Sequence, residues 1–92
     1  MQRHLYLACY DISDPRRLHK VHKIVQAYAI GGQKSFYECW LTEDDRTELL
    51  SRVESAFDPD EDQFRLFRLD SEPETIFMGV ASRQNMKPLM VV

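Results

Sequence analysis

Ninety-two residues make a single domain near the lower end of the usual range. So short a chain buries only about 60–65 % of its unfolded surface, which favours association with a further copy. An apolar content of 43 % and a charged content of 29 % exclude a disordered chain, and no apolar run approaches the roughly 20 residues of a membrane span. The net charge of −3 hides an asymmetry. Residues 1–41 carry six Lys/Arg against three acids (+3) and residues 42–92 six against twelve (−6), so an acidic molecule can present one cationic face.

His4-Leu5-Tyr6-Leu7-Ala8-Cys9-Tyr10 is a nearly continuous apolar run, too short for a helix and suited to a strand buried on both faces. Asp11 ends it without a small-residue cleavage site, so no signal peptide is expected and the cytoplasm is the expected compartment. In the following turn Ser13 or Asp14 can cap a helix, with Pro15 at its first position, where the missing N–H costs nothing. That helix is expected to run to about Tyr28. Leu18, Val21, Ile24, Val25 and Tyr28 form its apolar stripe, and Arg16, Arg17, Lys20 and Lys23 its other face. Gly31-Gly32 breaks the chain, and residues 35–41, rich in aromatics, read as a second strand. Thr42 followed by Glu43, Asp44 and Asp45 starts a second helix, expected to reach about Phe57. Beyond an acidic turn at 58–62, residues 64–69 form a third strand. After the breaker 71–74, residues 75–80 form a weaker fourth.

Two amphipathic helices need one apolar sheet face to cover. The expected architecture is α+β: a ferredoxin-like βαββαβ domain over residues 1–80, helices on one face of an antiparallel sheet, plus a C-terminal strand. A tail over 81–92 follows. The arrangement requires one more strand before Ser35, for which residues 29–33 are available, and their glycines make it short or bent. Residues 75–80 are expected as an edge strand, or one exchanged between two copies, making intermolecular contacts instead of completing the chain's own core.

Several residues could carry chemistry. Asp11, at the C-terminal end of a buried strand, is held rigidly where a metal ligand or general base can work; read alone, Asp11 or Asp14 can equally serve only as a helix cap. One carboxylate makes a poor Mg²⁺ site, because magnesium takes one or two carboxylates together with substrate phosphate. A two-fold dimer would supply a second Asp11. Arg16, Lys20 and Lys23 share one helical face, able to hold phosphates through counterion release or to remain an ordinary solvated face. Alternation puts Ser35, Tyr37 and Cys39 on one side of their strand and Phe36, Glu38 and Trp40 on the other. Phe36 and Trp40 are expected in the core, and Glu38 among aromatics is expected to pair with an arginine. Cys9 and Cys39 lack metal-ligand spacing and read as small buried strand residues. His19 and His22, three apart on the helix, are a conceivable metal pair without a supporting ligand pattern.

Two motifs then stand together: Tyr10-Asp11-Ile12-Ser13-Asp14 followed by Arg16-Arg17, and Gln33-Lys34-Ser35-Phe36-Tyr37-Glu38-Cys39. With a second helix, an acidic Asp-Pro turn and the strand at 62–69, they resemble the CRISPR-associated Cas2 family over about residues 4–80. The resemblance implies a ferredoxin-like homodimer that sits with the Cas1 integrase and helps insert foreign DNA into a CRISPR array. Many members are also described as metal-dependent nucleases acting on RNA or double-stranded DNA. It further implies Mg²⁺ (or Mn²⁺) as cofactor, Asp11 as the catalytic metal ligand, and Tyr10 as its catalytic neighbour. Tyr37 becomes the aromatic near the active site, where Phe is more usual. Arg16 and Arg17, with Lys20 and Lys34, become the nucleic-acid-binding cations. Residues 29–32 depart from the family, which often shows a glycine and an arginine there. A related interferase toxin, or a ferredoxin-like regulatory dimer unrelated to CRISPR, are the alternatives.

Overall fold

The chain runs through β1 (His4–Asp11), α1 (Pro15–Gln26), β2 (Ala29–Gln33), β3 (Phe36–Leu41), α2 (Glu43–Ala56), β4 (Gln63–Arg68), β5 (Glu74–Gly79) and β6 (Leu89–Val91). The computed structural model describes residues 2–33, 36–70, 74–79 and 89–91. The strands form one antiparallel sheet in the order β2-β3-β1-β4-β5-β6. Its first four positions have the expected ferredoxin-like order. β2 is the strand that the glycines bend, with a shift of register between Ala29 and Gly31.

Both helices start where side chains satisfy their free N–H groups. Asp14 caps α1, its Oδ2 accepting from the backbone N–H of Arg16 and of Arg17, both at 3.0 Å, and Pro15 opens the first turn. Thr42 and Asp45 form a reciprocal capping box on α2: Thr42 Oγ1 accepts from Asp45 N–H at 3.0 Å, and Asp45 Oδ2 from Thr42 N–H at 3.1 Å. No described helix is long and apolar enough to cross a membrane.

Strand alternation sends Tyr6, Ala8 and Tyr10 of β1 to one face, with Cys39, Leu41, Phe64, Leu66, Ile76 and Met78 from its neighbours. Val21 and Val25 of α1 and Leu49 and Val53 of α2 close over them, and all are buried. The opposite face has no helix. Leu5, Leu7 and Cys9 are half-buried there, and Phe36 and Trp40 stay 37 % and 46 % exposed. The expectation of a first strand buried on both faces, and of Phe36 and Trp40 as core residues, is therefore corrected. Both helices lie on one side, so every second strand residue lacks a cover.

β5 pairs with β4 of the same chain, Ile76 opposite Leu66 and Met78 opposite Phe64, and both side chains lie in the chain's own core. Within the chain β5 is not an edge, since β6 pairs alongside it. The remainder of the tail, residues 80–88 and 92, lies outside the described residues.

Gly79 closes β5 with φ +103°, and a Cβ there would stand 1.9 Å from the backbone oxygen of Asp62. Gly79→Ala is expected to cost at least about 2 kcal/mol, from a left-handed backbone and a contact with main chain that cannot swing aside. Gly31 has nothing within 4 Å of the corresponding position, so Gly31→Ala should change stability by less than about 0.5 kcal/mol. Urea-unfolding midpoints of the two variants check the contrast.

Candidate functional site

Asp11 is the last residue of β1 and lies on the helix-free face, its side chain exposed, paired across the ladder with Gln63. Cys9, Phe36, Gln63 and Arg65 surround it in an open cleft of about 380 Å³. Arg65 donates from Nη2 to Gln63 Oε1 at 2.9 Å and rests its guanidinium over the Phe77 ring, 5.2 Å from the centroid. Burial pushes the Cys9 thiol up, against the opposing pull of Arg65. It is a protonated strand residue and not an activated nucleophile.

Tyr10 faces the other way. Its ring stacks between Tyr37 and Phe64, with centroids 6.4 and 6.0 Å away, and its hydroxyl lies 3.0 Å from Nδ1 of His22 on α1. Burial, then the neighbouring Tyr37 and Cys39, push the Tyr10 phenol well up, so it stays protonated beside His22. The Tyr37 hydroxyl lies 3.4 Å from both ring nitrogens of His22, and the two rings meet edge-on. Tyr10 and Tyr37 are thus brought together around His22, and neither hydroxyl is brought to Asp11, because alternation separates them by the thickness of the sheet. In the sequence His22 stood out only beside His19, as a conceivable metal pair, and nothing there linked it to the two tyrosines.

The neighbouring arginines have different surroundings. Arg17 reaches Asp62 with a fork, Nε to Oδ2 at 2.8 Å and Nη2 to Oδ1 at 3.2 Å, and donates from Nη2 to Ser13 Oγ at 3.2 Å. Asp62 is wholly buried and also accepts from Ser13 N–H at 3.1 Å, Ser13 Oγ at 3.3 Å and Asp58 N–H at 2.9 Å. Burial alone would raise the Asp62 carboxyl. The hydrogen bonds from Arg17 and from the backbone of Asp58 and Ser13, with the charge of Arg17, outweigh it and hold the carboxyl below its ordinary 3.8. Arg17 is correspondingly raised, chiefly by its hydrogen bond to Asp62. Arg17 therefore ties the β1–α1 loop to the turn before β4. Asp62 hides in the sequence within an acidic turn, 58–62, where nothing marks one carboxylate as buried.

Arg16 and Lys20 are exposed, on the outer side of α1 with Pro15 and His19. Lys34 and Ser35 lie outside the described residues. At the opposite end of the sheet His4 Nδ1 meets Asp70 Oδ2 at 2.5 Å, and Arg68 donates from Nε to Asp70 Oδ1 at 2.7 Å. Arg46 pairs with Glu74 beside them, closing the helix-covered core at that end. Among the described residues no group of three or more His, Cys, Asp or Glu side chains is placed to hold a metal ion. Asp11 offers a single carboxylate, which suits Mg²⁺ only beside a second carboxylate or a phosphate.

These features define a class: a ferredoxin-like domain with one helix-free sheet face, a lone carboxylate at its edge and exposed cations on the adjoining helix. The family model described as CRISPR associated protein Cas2 matches residues 4–75. A CRISPR-associated endoribonuclease Cas2 of Thermodesulfovibrio yellowstonii is 38 % identical over 79 residues, 86 % of either chain. Another, from Nitrosomonas europaea, is 32 % identical over 92 residues, all of this chain and 81 % of that one. The crystal structure of Streptococcus pyogenes Cas2 is similar with a TM-score of 0.66 at 26 % identity, covering 74 % of this chain and 88 % of that one. The chain belongs to the Cas2 family of CRISPR-associated proteins.

Asp62→Asn keeps the side chain's shape but strips Arg17 of its counter-charge, and should cost about 2–4 kcal/mol at neutral pH. The wild-type carboxyl sits below its unfolded value of 3.8. Its contribution is therefore complete above about pH 4 and lost as the pH falls through the lower folded value. Urea midpoints between pH 7 and 2.5 should fall more steeply in acid for the wild type than for the variant.

Proposed function

We propose that this chain is a nucleic-acid-binding homodimer of the CRISPR spacer-acquisition machinery, acting with the Cas1 integrase. In it, Asp11 of each copy serves phosphodiester hydrolysis of RNA or double-stranded DNA with Mg²⁺ or Mn²⁺. The observation that carries this reading is the helix-free sheet face with exposed Asp11 at its edge. Leu5, Leu7, Phe36, Trp40, Phe67 and Phe77 share that face by strand register. A monomer would leave this contiguous apolar surface against water, whereas a two-fold partner covers it with an identical surface. The same packing brings a second Asp11 toward the first.

A divalent ion held there would polarise a phosphoryl oxygen and lower the pKa of a bound water. Asp11 supplies a carboxylate to hold it. Arg16 and Lys20, exposed on the adjoining helix, orient the nucleic-acid backbone through phosphate contacts. Arg17, Ser13 and Asp62 hold the loop between them. Tyr10 and Tyr37 act from behind the site, their stack fixing the end of β1. The names of the relatives from Thermodesulfovibrio and Nitrosomonas, both endoribonucleases, support hydrolysis. A second reading, a DNA-binding scaffold without turnover, needs only the dimer and the cations.

Asp11→Ala should leave fold and association unchanged and lower cleavage of RNA and duplex DNA in Mg²⁺ or Mn²⁺ at least about a hundredfold. Equal cleavage by wild type and variant would refute the metal role, and no cleavage by either would leave the scaffold reading. Reversing Arg16 and Lys20 to Glu should weaken duplex binding and lower the slope of log K against log salt by about 1.8, the loss of two phosphate contacts. An unchanged slope, measured by titration across salt concentrations, would place the cationic surface elsewhere.

A further inference from the structure

Glu38 is the anomaly of the helix-free face. It is exposed on β3 between Phe36 and Trp40 and opposite Leu7 of β1, and no ion pair reaches it among the described residues. Covering that face with a second copy would strip Glu38 of water, and an ionised carboxylate buried without a cation is costly. Arg65 is the only cation among the described strand residues that point to this face. Its fork is engaged by a neutral amide and an aromatic ring and, among the described residues, by no carboxylate.

Strand register fixes how the two residues are disposed. Glu38 lies beside Leu7 on the β3 side of β1, and Arg65 beside Cys9 on the β4 side. They are separated by two strand spacings and two residues, about 10 Å across and about 7 Å along the sheet, and no ion pair joins them within the chain, where Arg65 leans toward Gln63 and Phe77 instead. Their midpoint falls on Ala8. Consider a two-fold axis lying between two stacked sheets, passing over Ala8 and perpendicular to the line from Glu38 to Arg65. It exchanges the two positions: Glu38 of each copy lands on Arg65 of the other. Such an axis runs more nearly along β1 than across it, so both copies of Asp11 lie at the same end of the interface.

We infer that Glu38 and Arg65 form two reciprocal ion pairs across the two-fold of a face-to-face homodimer, setting its register and selecting an identical partner. The inference rests on the homodimer proposed above and adds which groups specify it. Arg65 keeps its stacking on Phe77 and gains a charged acceptor, and Glu38 loses its isolation.

The test is a charge exchange. Glu38→Arg has two cations at these positions and Arg65→Glu has two anions. Each variant alone must place like charges together twice, whereas a mixed dimer of the two has both pairs complementary. Analytical ultracentrifugation of each variant should show homodimer dissociation raised about a hundredfold or more. Mixing them should restore dimers within about threefold of wild-type affinity, and native mass spectrometry with one variant mass-tagged should find them almost wholly mixed. The double variant Glu38→Arg/Arg65→Glu should dimerise like the wild type. A dimeric wild type whose single variants also dimerise, without preference for the mixed species, would overturn the pairing while leaving the homodimer standing. Loss of dimer in Arg65→Glu alone, with Glu38→Arg unaffected, would assign Arg65 to the partner's carboxylate at the edge and overturn it too. A monomeric wild type would overturn both readings.

Discussion

α1 and α2 cover the same face of the sheet because of how the two crossovers run. The connection from β1 to β2 and that from β3 to β4 move in opposite directions across the sheet, and they leave from strands that point oppositely. Two right-handed crossovers of that kind deliver both helices to one side. One face becomes the interior, filled by Tyr6, Ala8, Phe64 and Leu66 against Val21, Val25, Leu49 and Val53. The other face has no layer left to cover it. Its aromatic and aliphatic residues, its isolated glutamate and the carboxylate at its edge are consequences of the same shortage, and each gains a physical reason once a second sheet is laid against the first.

Around Asp62 the chain fastens its functional end. The buried carboxylate collects the Arg17 fork, the Ser13 N–H and hydroxyl, and the Asp58 N–H, while its own carbonyl lies so close to Gly79 that no side chain fits there. The start of α1, the turn before β4 and the end of β5 are thereby joined at one point, a few residues from Asp11. Satisfying a buried charge from several directions fixes geometry. The consecutive arginines divide the work by helical position: Arg17 turns inward to hold the loop, and Arg16 stays in solvent where a phosphate can meet it.

Tyr10 and Asp11 show how far apart adjacent residues stand in a strand. One belongs to a stack with Tyr37 and Phe64 and sets its hydroxyl against His22, and the other lies in water on the far side. The motif that joins them in sequence couples two environments through a single peptide.

Much of this was legible in the order of residues, for local reasons. Pro15 after Asp14, and Thr42 ahead of Asp45, mark the helix starts, since capping depends on residues two or three apart. Alternation sorted residues 35–41 into two faces, and the motifs around Asp11 and Glu38 carried the family. What alternation leaves open is which face receives the helices, so Phe36 and Trp40 looked like core when they lie on the bare side. The chain order likewise could not say that β5 returns to β4 to bury Ile76 and Met78. Nor could it commit Arg17 to a carboxylate 45 residues away. Spacing along the chain determines local caps and faces; the meeting of distant loops, and the water each charge keeps or loses, are decided only when the layers pack.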